Sequence, residues 1–202
     1  MLTAVESLGY RADARVFALN SYENRVYQVG LEDGSSLIVK FYRPARWSDA
    51  QIREEHAFMA ELRDLEIPVG APIVRDAETI FVYEGFRFSI FERLAGRAVN
   101  LENPDDLLSM GRFVARIHAV GERARFEHRY ELSVERLGCE SRQFLLESGF
   151  LDGDLQRAYE TLSADLLKEV EARFDAHGPI RQLRLHGDCH MGNILWRGET
   201  PH

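Results

Sequence analysis

The hydrophobic pattern changes period near Gly96, and this switch restricts the chain to a fold with a sheet first and helices after it. Before Gly96 the apolar residues come in short runs rich in β-branched and aromatic side chains, at 15–19, 25–29, 37–42, 79–83 and 87–91. Turn-forming residues separate them: Asn20–Asn24, Glu32–Ser35 and the Glu84-Gly85 pair. Five antiparallel strands are the economical reading. One helix interrupts them at roughly 49–65, with Ser48 or Asp49 as N-cap and Pro68 beyond its end. Its inward stripe reads Ile52, Glu55, Met59 and Leu62.

After Gly96 the texture is helical, over 104–120, 136–148 and 154–174. Leu107, Met110, Val114 and Ile117 predict one buried stripe, and Leu155, Tyr159, Leu162, Leu166 and Val170 a second. Strand character returns at Leu183–Leu185 and Ile194–Trp196. A run of strands followed by a run of helices specifies an α+β chain. The expected division is a β-rich lobe over 1–92, a hinge over 93–97, and a helical lobe over 98–202.

Composition excludes some functions. A net charge of −8 opposes a nucleic-acid-binding surface. No apolar run approaches the length of a membrane-spanning helix, and no signal-peptide pattern opens the chain. Cys139 and Cys189 are too unlike in context to predict a disulfide, which makes the reducing cytoplasm the expected location. All but two of the 25 basic residues are arginine; the exceptions are Lys40 and Lys168.

That choice draws attention to Lys40. A lysine at a strand end can simply extend its ammonium into solvent. It can also act as a compact point charge for phosphate oxygens, given a carboxylate to orient it. Glu55, on the inward stripe of the next helix, is the candidate partner. Glu54 beside it reads as solvated. The segment Phe91–Gly96 offers backbone groups that can pair with an adenine edge. In His186-Gly187-Asp188-Cys189-His190-Met191-Gly192-Asn193, Asp188 can accept a proton from a hydroxyl and Asn193 can offer a neutral oxygen to Mg²⁺. A structural hairpin and a zinc site are the competing readings, although zinc sites usually bring a second spaced ligand pair, which is not evident.

Together these residues resemble the aminoglycoside phosphotransferase and choline kinase group of kinase-like enzymes, whose loop reads His-Gly-Asp-x-His-x-x-Asn. The stretches Asn20–Gln28, Val39–Pro44, Glu54–His56 and Leu185–His190 are similar to the narrower stress response kinase A family of bacterial serine/threonine protein kinases. The resemblance covers essentially the whole chain. It implies a protein-kinase-like bilobal fold, with a five-stranded antiparallel sheet and one helix in the first lobe. It implies ATP and Mg²⁺ as cofactors and a protein or small-molecule hydroxyl as acceptor. Asp188 would be the catalytic base and Asn193 a Mg²⁺ ligand. Lys40 would hold the nucleotide phosphates and pair with Glu55. The loop at Ser21 would cover the phosphates in place of a glycine-rich loop, since no G-x-G-x-x-G occurs. Glu92 and Leu94 would meet adenine through their backbone.

A second acidic metal ligand is expected roughly ten residues after Asn193. The sequence reaches only Arg197–His202, where Glu199 is a poor substitute. The chain therefore reads as a copy truncated at its C-terminus, with doubtful activity of its own. Three functions compete: a cytosolic serine/threonine kinase, a small-molecule phosphotransferase for an aminoglycoside, choline or sugar hydroxyl, and a catalytically dead nucleotide-binding fragment.

Overall fold

The strand pattern produces a sheet with the order β1-β2-β3-β5-β4, every neighbouring pair antiparallel. The strands are β1 (Ala12–Leu19), β2 (Arg25–Leu31), β3 (Ser36–Phe41), β4 (Phe81–Tyr83) and β5 (Phe86–Glu92). This is a computed structural model, and it describes residues 1–198 and 200–202. Strand β3, which carries Lys40, is the central one.

The register sorts the side chains onto two faces. Val39 lies opposite Tyr27 and Ile90, and Leu37 opposite Val29, so these residues share one face. A short helix, α1 (Leu2–Glu6), buries Ala4 and Val5 completely in that face's core. Nothing in the sequence reading anticipated this helix. The other face holds Lys40, opposite Val26 and Ser89, with Ile38 and Phe91. It is turned toward helix α2 (Asp49–Asp64), as its contacts with Glu55 and His56 show.

Helix α2 starts where the sequence encodes a reciprocal cap. Ser48 Oγ accepts from Gln51 N (3.2 Å) and Gln51 Oε1 accepts from Ser48 N (2.9 Å). Ile52 and Leu62 are buried as the stripe requires, together with His56 and Phe58. Phe58 and Leu62 pack on Phe113, Ile117 and Val120 of helix α3 (Pro104–Gly121). Burial on α3 thus centres on Asp106, Phe113, Ile117 and Val120. Leu107, expected inside, is exposed, because the packed face lies about one residue round the helix from the predicted stripe.

The chain divides into two compact units. One comprises Met1–His128 with Leu183–His202, and the other Arg129–Gln182. The second unit holds a π-helical turn (Glu135–Cys139) continuing into α4 (Glu140–Glu147), then α5 (Gly153–His177). Polar contacts join these helices: Arg142 Nε donates to Ser163 Oγ (2.9 Å), and Gln156 Nε2 donates to the Leu146 carbonyl (3.2 Å). Of the expected α5 stripe, Tyr159 and Val170 are half-buried, while Leu155, Leu162 and Leu166 are exposed. Gln156, Ser163 and Leu167 share the half-buried face instead.

Leu183–Leu185 is not a strand. Its backbone bonds to a helix end, Arg184 N donating to the Gly121 carbonyl (3.2 Å). Strand β6 (Trp196–Arg197) pairs with β7 (Thr200–Pro201) after a 3₁₀ turn at Met191–Asn193. Trp196 also exchanges backbone bonds with Arg97 (2.8 and 2.9 Å), which ties the segment after β5 to the segment after the His186–Asn193 loop. Arg97 reaches on to the buried Asp106 near the start of α3 (3.1 Å).

Candidate active site

Lys40 Nζ lies 3.3 Å from Glu55 Oε1. The pair forms because period-2 alternation sends Lys40 to the α2 side of the sheet and the 3.6-residue period aims Glu55 back at it. Both side chains keep about a fifth of their surface exposed, 23% and 22%, so the ammonium stays reachable. It also sits over the Tyr42 ring, 5.2 Å from the centroid.

Behind this pair lies a polar ring in an otherwise apolar setting. Ser89 Oγ donates to the Thr79 carbonyl (2.6 Å), and Tyr42 Oη donates to Ser89 Oγ (3.2 Å). Tyr42 Oη is also 2.9 Å from His56 Nε2, and His56 Nδ1 is 2.8 Å from Thr79 Oγ1. With the tyrosine proton on Ser89, a neutral His56 carries its hydrogen on Nε2 and accepts from Thr79. The ring joins α2 to the sheet, with Tyr42, His56 and Ser89 buried and Thr79 half-buried.

Glu54 is not a solvated residue. Its carboxylate accepts the backbone N–H groups of Glu127 and His128, the latter at 3.0 Å, and Gln51 Nε2 donates to the His128 carbonyl at 2.9 Å. Helix α2 thereby holds the segment that follows α3.

In the loop after Arg184, Asn193 Nδ2 donates both to the Asp188 carbonyl and to Asp188 Oδ2, each at 2.9 Å. Its amide nitrogen is committed to Asp188, so Oδ1 is the atom it can offer a cation. Asp188 remains largely exposed, its Oδ1 3.7 Å from His190 Nε2. His190 Nδ1 accepts from Gly192 N (3.0 Å) and closes the turn. Partial desolvation pushes the His186 imidazole below its ordinary value, although the residue is exposed overall; the Asp188 and Glu55 carboxylates pull it back up. The Lys40–Glu55 pair and this loop belong to the same compact unit.

Ser21 sits in the β1–β2 connection and accepts from Asn24 N (3.3 Å). Glu23 takes the Trp47 indole N–H (2.8 Å) and Arg46, which fastens that connection to the segment after β3. Glu92 ends β5 opposite Leu37, and Leu94 follows in the next segment, near Gly70.

Magnesium takes oxygen ligands, usually one or two carboxylates with waters and substrate phosphates. Asn193 and Asp188 are oxygen donors of this kind. Among the described residues no group of three or more His, Cys, Asp or Glu stands ready to hold a metal. Glu199 lies outside the described residues. The described side chains thus fit part of a magnesium shell.

The phosphotransferase enzyme family model matches residues 15–202. The chain belongs to that family. Stress response kinase A of Escherichia coli (strain K12) is 38% identical over 197 residues, covering 98% of this chain and 60% of the relative. A protein named serine/threonine protein kinase RdoA, from Salmonella typhimurium, matches to the same extent. The chain thus spans about three-fifths of the length of the curated relatives it matches. Among solved structures, the amicoumacin kinase hAmiN in complex with AMP-PNP, Ca²⁺ and Ami superposes with a TM-score of 0.76 at 20% identity, covering 98% of this chain and 61% of that one. Spectinomycin phosphotransferase APH(9)-Ia with ADP and spectinomycin gives 0.64 at 15%, covering 98% and 65%. The fold is the α+β kinase-like fold of this family. No helix among the described residues is long and apolar enough to cross a membrane.

Arg184, the His56 ring and the Arg97–Asp106 clamp escaped the sequence reading. Arg184 and the His56 ring join residues distant in the chain, and the Arg97–Asp106 clamp closes a nine-residue span outside any helical or strand period.

Proposed function

We propose that this chain is the nucleotide-binding and loop-bearing part of a cytosolic, ATP-dependent serine/threonine kinase that transfers the γ-phosphoryl group to a hydroxyl. The observation that carries this reading is that one compact unit holds both the Lys40–Glu55 pair and the Asp188–Asn193 pair. The division into lobes at 93–97 belongs to the same reading.

Each residue has a definable task. Lys40 contacts the nucleotide phosphates while Glu55 keeps its ammonium aimed. The connection at Ser21 lies over the phosphates, and the backbone of Glu92 and Leu94 meets the adenine edge. Asp188 accepts the proton of the acceptor hydroxyl as its oxygen bonds to the γ-phosphorus, and the bond to the β–γ bridging oxygen breaks to release ADP. Little covalent chemistry is left to the protein; positioning and charge neutralisation dominate. Asn193 Oδ1 would hold magnesium, which when bound neutralises phosphate charge.

The names of the relatives favour a protein acceptor. The amicoumacin and spectinomycin enzymes carry a second reading, a small-molecule hydroxyl. Incubation of the protein, extended to the length of its relatives, with radiolabelled Mg·ATP and separate protein and aminoglycoside acceptors distinguishes them. Label on serine or threonine supports the first reading and label on the antibiotic the second. Label on neither overturns phosphoryl transfer.

A further inference from the structure

Arg184 stands two residues before His186 and is nine-tenths buried, although it carries a permanent charge. Its Nη1 lies 2.7 Å from Glu61 Oε2 of α2, and its Nη2 donates to the Val120 carbonyl in the last turn of α3 (3.0 Å). Its guanidinium lies over the Phe58 ring, 4.4 Å from the centroid. Its Nε is buried without a hydrogen-bond partner. The backbone is held as firmly as the side chain: Arg184 N bonds to the Gly121 carbonyl, and a Cβ on Gly121 would lie 2.2 Å from Arg184 O.

A buried guanidinium with an unmet donor, paired to a carboxylate that is only partly buried, is a poor choice if stability is its only purpose, because an apolar side chain of similar volume avoids the cost of desolvating the charge. What the arginine adds is geometry. Glu61 and Glu55 ride on the same helix, six residues apart, which the helical rise makes about 9 Å. Glu55 aims the lysine, and Glu61 grips the chain just ahead of Asp188. A shift of α2 that moved one carboxylate would move the other.

We infer that Arg184 is a positioning residue which, through Glu61, keeps the His186–Asn193 loop in step with α2 and so with the Lys40–Glu55 pair. The inference rests on the phosphoryl-transfer reading of that loop. It adds a physical link between the two halves of the site that does not pass through the nucleotide.

Hydrogen exchange followed by mass spectrometry on the 202-residue chain tests it without needing turnover. Glu61→Gln keeps the shape of a side chain that is one-third exposed and removes the charge. It should speed exchange of the 185–190 amides about tenfold while leaving β2 and β3 unchanged. Arg184→Lys should act likewise, since an ammonium cannot bond Glu61 and Val120 as a fork. Glu61→Asp, which keeps the carboxylate, should restore most of the protection. Unchanged loop exchange in Glu61→Gln and Arg184→Lys overturns the inference, as does acceleration spread evenly over the whole unit, which would mark the pair as a stability element only. Failure of the kinase reading is separately visible: it is a wild-type protein, at the length of its relatives, that transfers no phosphate.

Discussion

Ser89 faces Lys40 directly across β3 and β5, and its hydroxyl belongs to the ring that locks α2 onto the sheet. The lysine that would hold phosphate thus has, as its neighbour in the sheet, the polar group that fixes the helix bearing its carboxylate. Placement of Glu55 is delegated to buried hydrogen bonds, because a partly exposed ion pair at 3.3 Å is too weak to fix a helix alone.

Lys40→Met should therefore weaken binding of a fluorescent ATP analogue at least tenfold while shifting stability by less than about 1 kcal/mol. Arginine should not rescue it, since the fork does not reproduce a point charge on a flexible stem. Titration by fluorescence, alongside thermal melts of each variant, checks both halves of this expectation.

The ring is where stability resides. His56→Ala leaves Tyr42 and Thr79 without their shared partner and should cost about 2–4 kcal/mol in urea unfolding. A loss below about 0.5 kcal/mol would show that the ring contributes nothing to fixing α2.

Two glycines in α3 should respond oppositely. Gly121→Ala drives a methyl into the Arg184 carbonyl and should destabilise by about 1–3 kcal/mol. Gly111→Ala meets no atom within 4 Å and should stabilise by up to about 1 kcal/mol through helix propensity. Denaturant midpoints of the two variants measured side by side decide the matter.

Asp188→Asn should abolish phosphate transfer and preserve both folding and nucleotide binding, because the side chain is mostly exposed and supports no core contact. Retained turnover in the protein extended to the length of its relatives would remove Asp188 from the role of base.

His186 gives a pH dependence with a definite sign. Its imidazole titrates below the ordinary value when folded, because of partial desolvation, so the folded chain holds fewer protons than the unfolded one. Stability should fall as pH drops below about 6.5 and level off once the depressed value is passed. His202 shifts in the same direction through partial burial and Arg197, so the measurement is the difference between wild type and His186→Asn at pH 7.5 and 5.5. A difference that does not change with pH would contradict the shift.

Features set by local pattern were readable in advance. The five strands and α2 follow from alternation and a cap, and Lys40 stood out because the chain uses lysine so sparingly. Glu55 followed from helical spacing. Glu54 did not, because its partners lie 73 and 74 residues away and are backbone groups, which leave no mark on composition. Leu183–Leu185 misled because the apolar-polar-apolar pattern of a strand edge is also what a residue needs to lodge beside a helix end. On α5 the heptad-like leucines suggested an inner face, yet α4 lies against the face of Gln156 and Ser163.

The chain leaves the first unit after His128 and rejoins it at Leu183, and both junctions are fastened to the helices that frame the loop. Gln51 grips the carbonyl of His128, and Gly121 receives the backbone of Arg184. The 129–182 segment is in this sense a cassette between two moorings. A change of length or surface within 129–182 meets these two anchored ends before it can pull on Asp188.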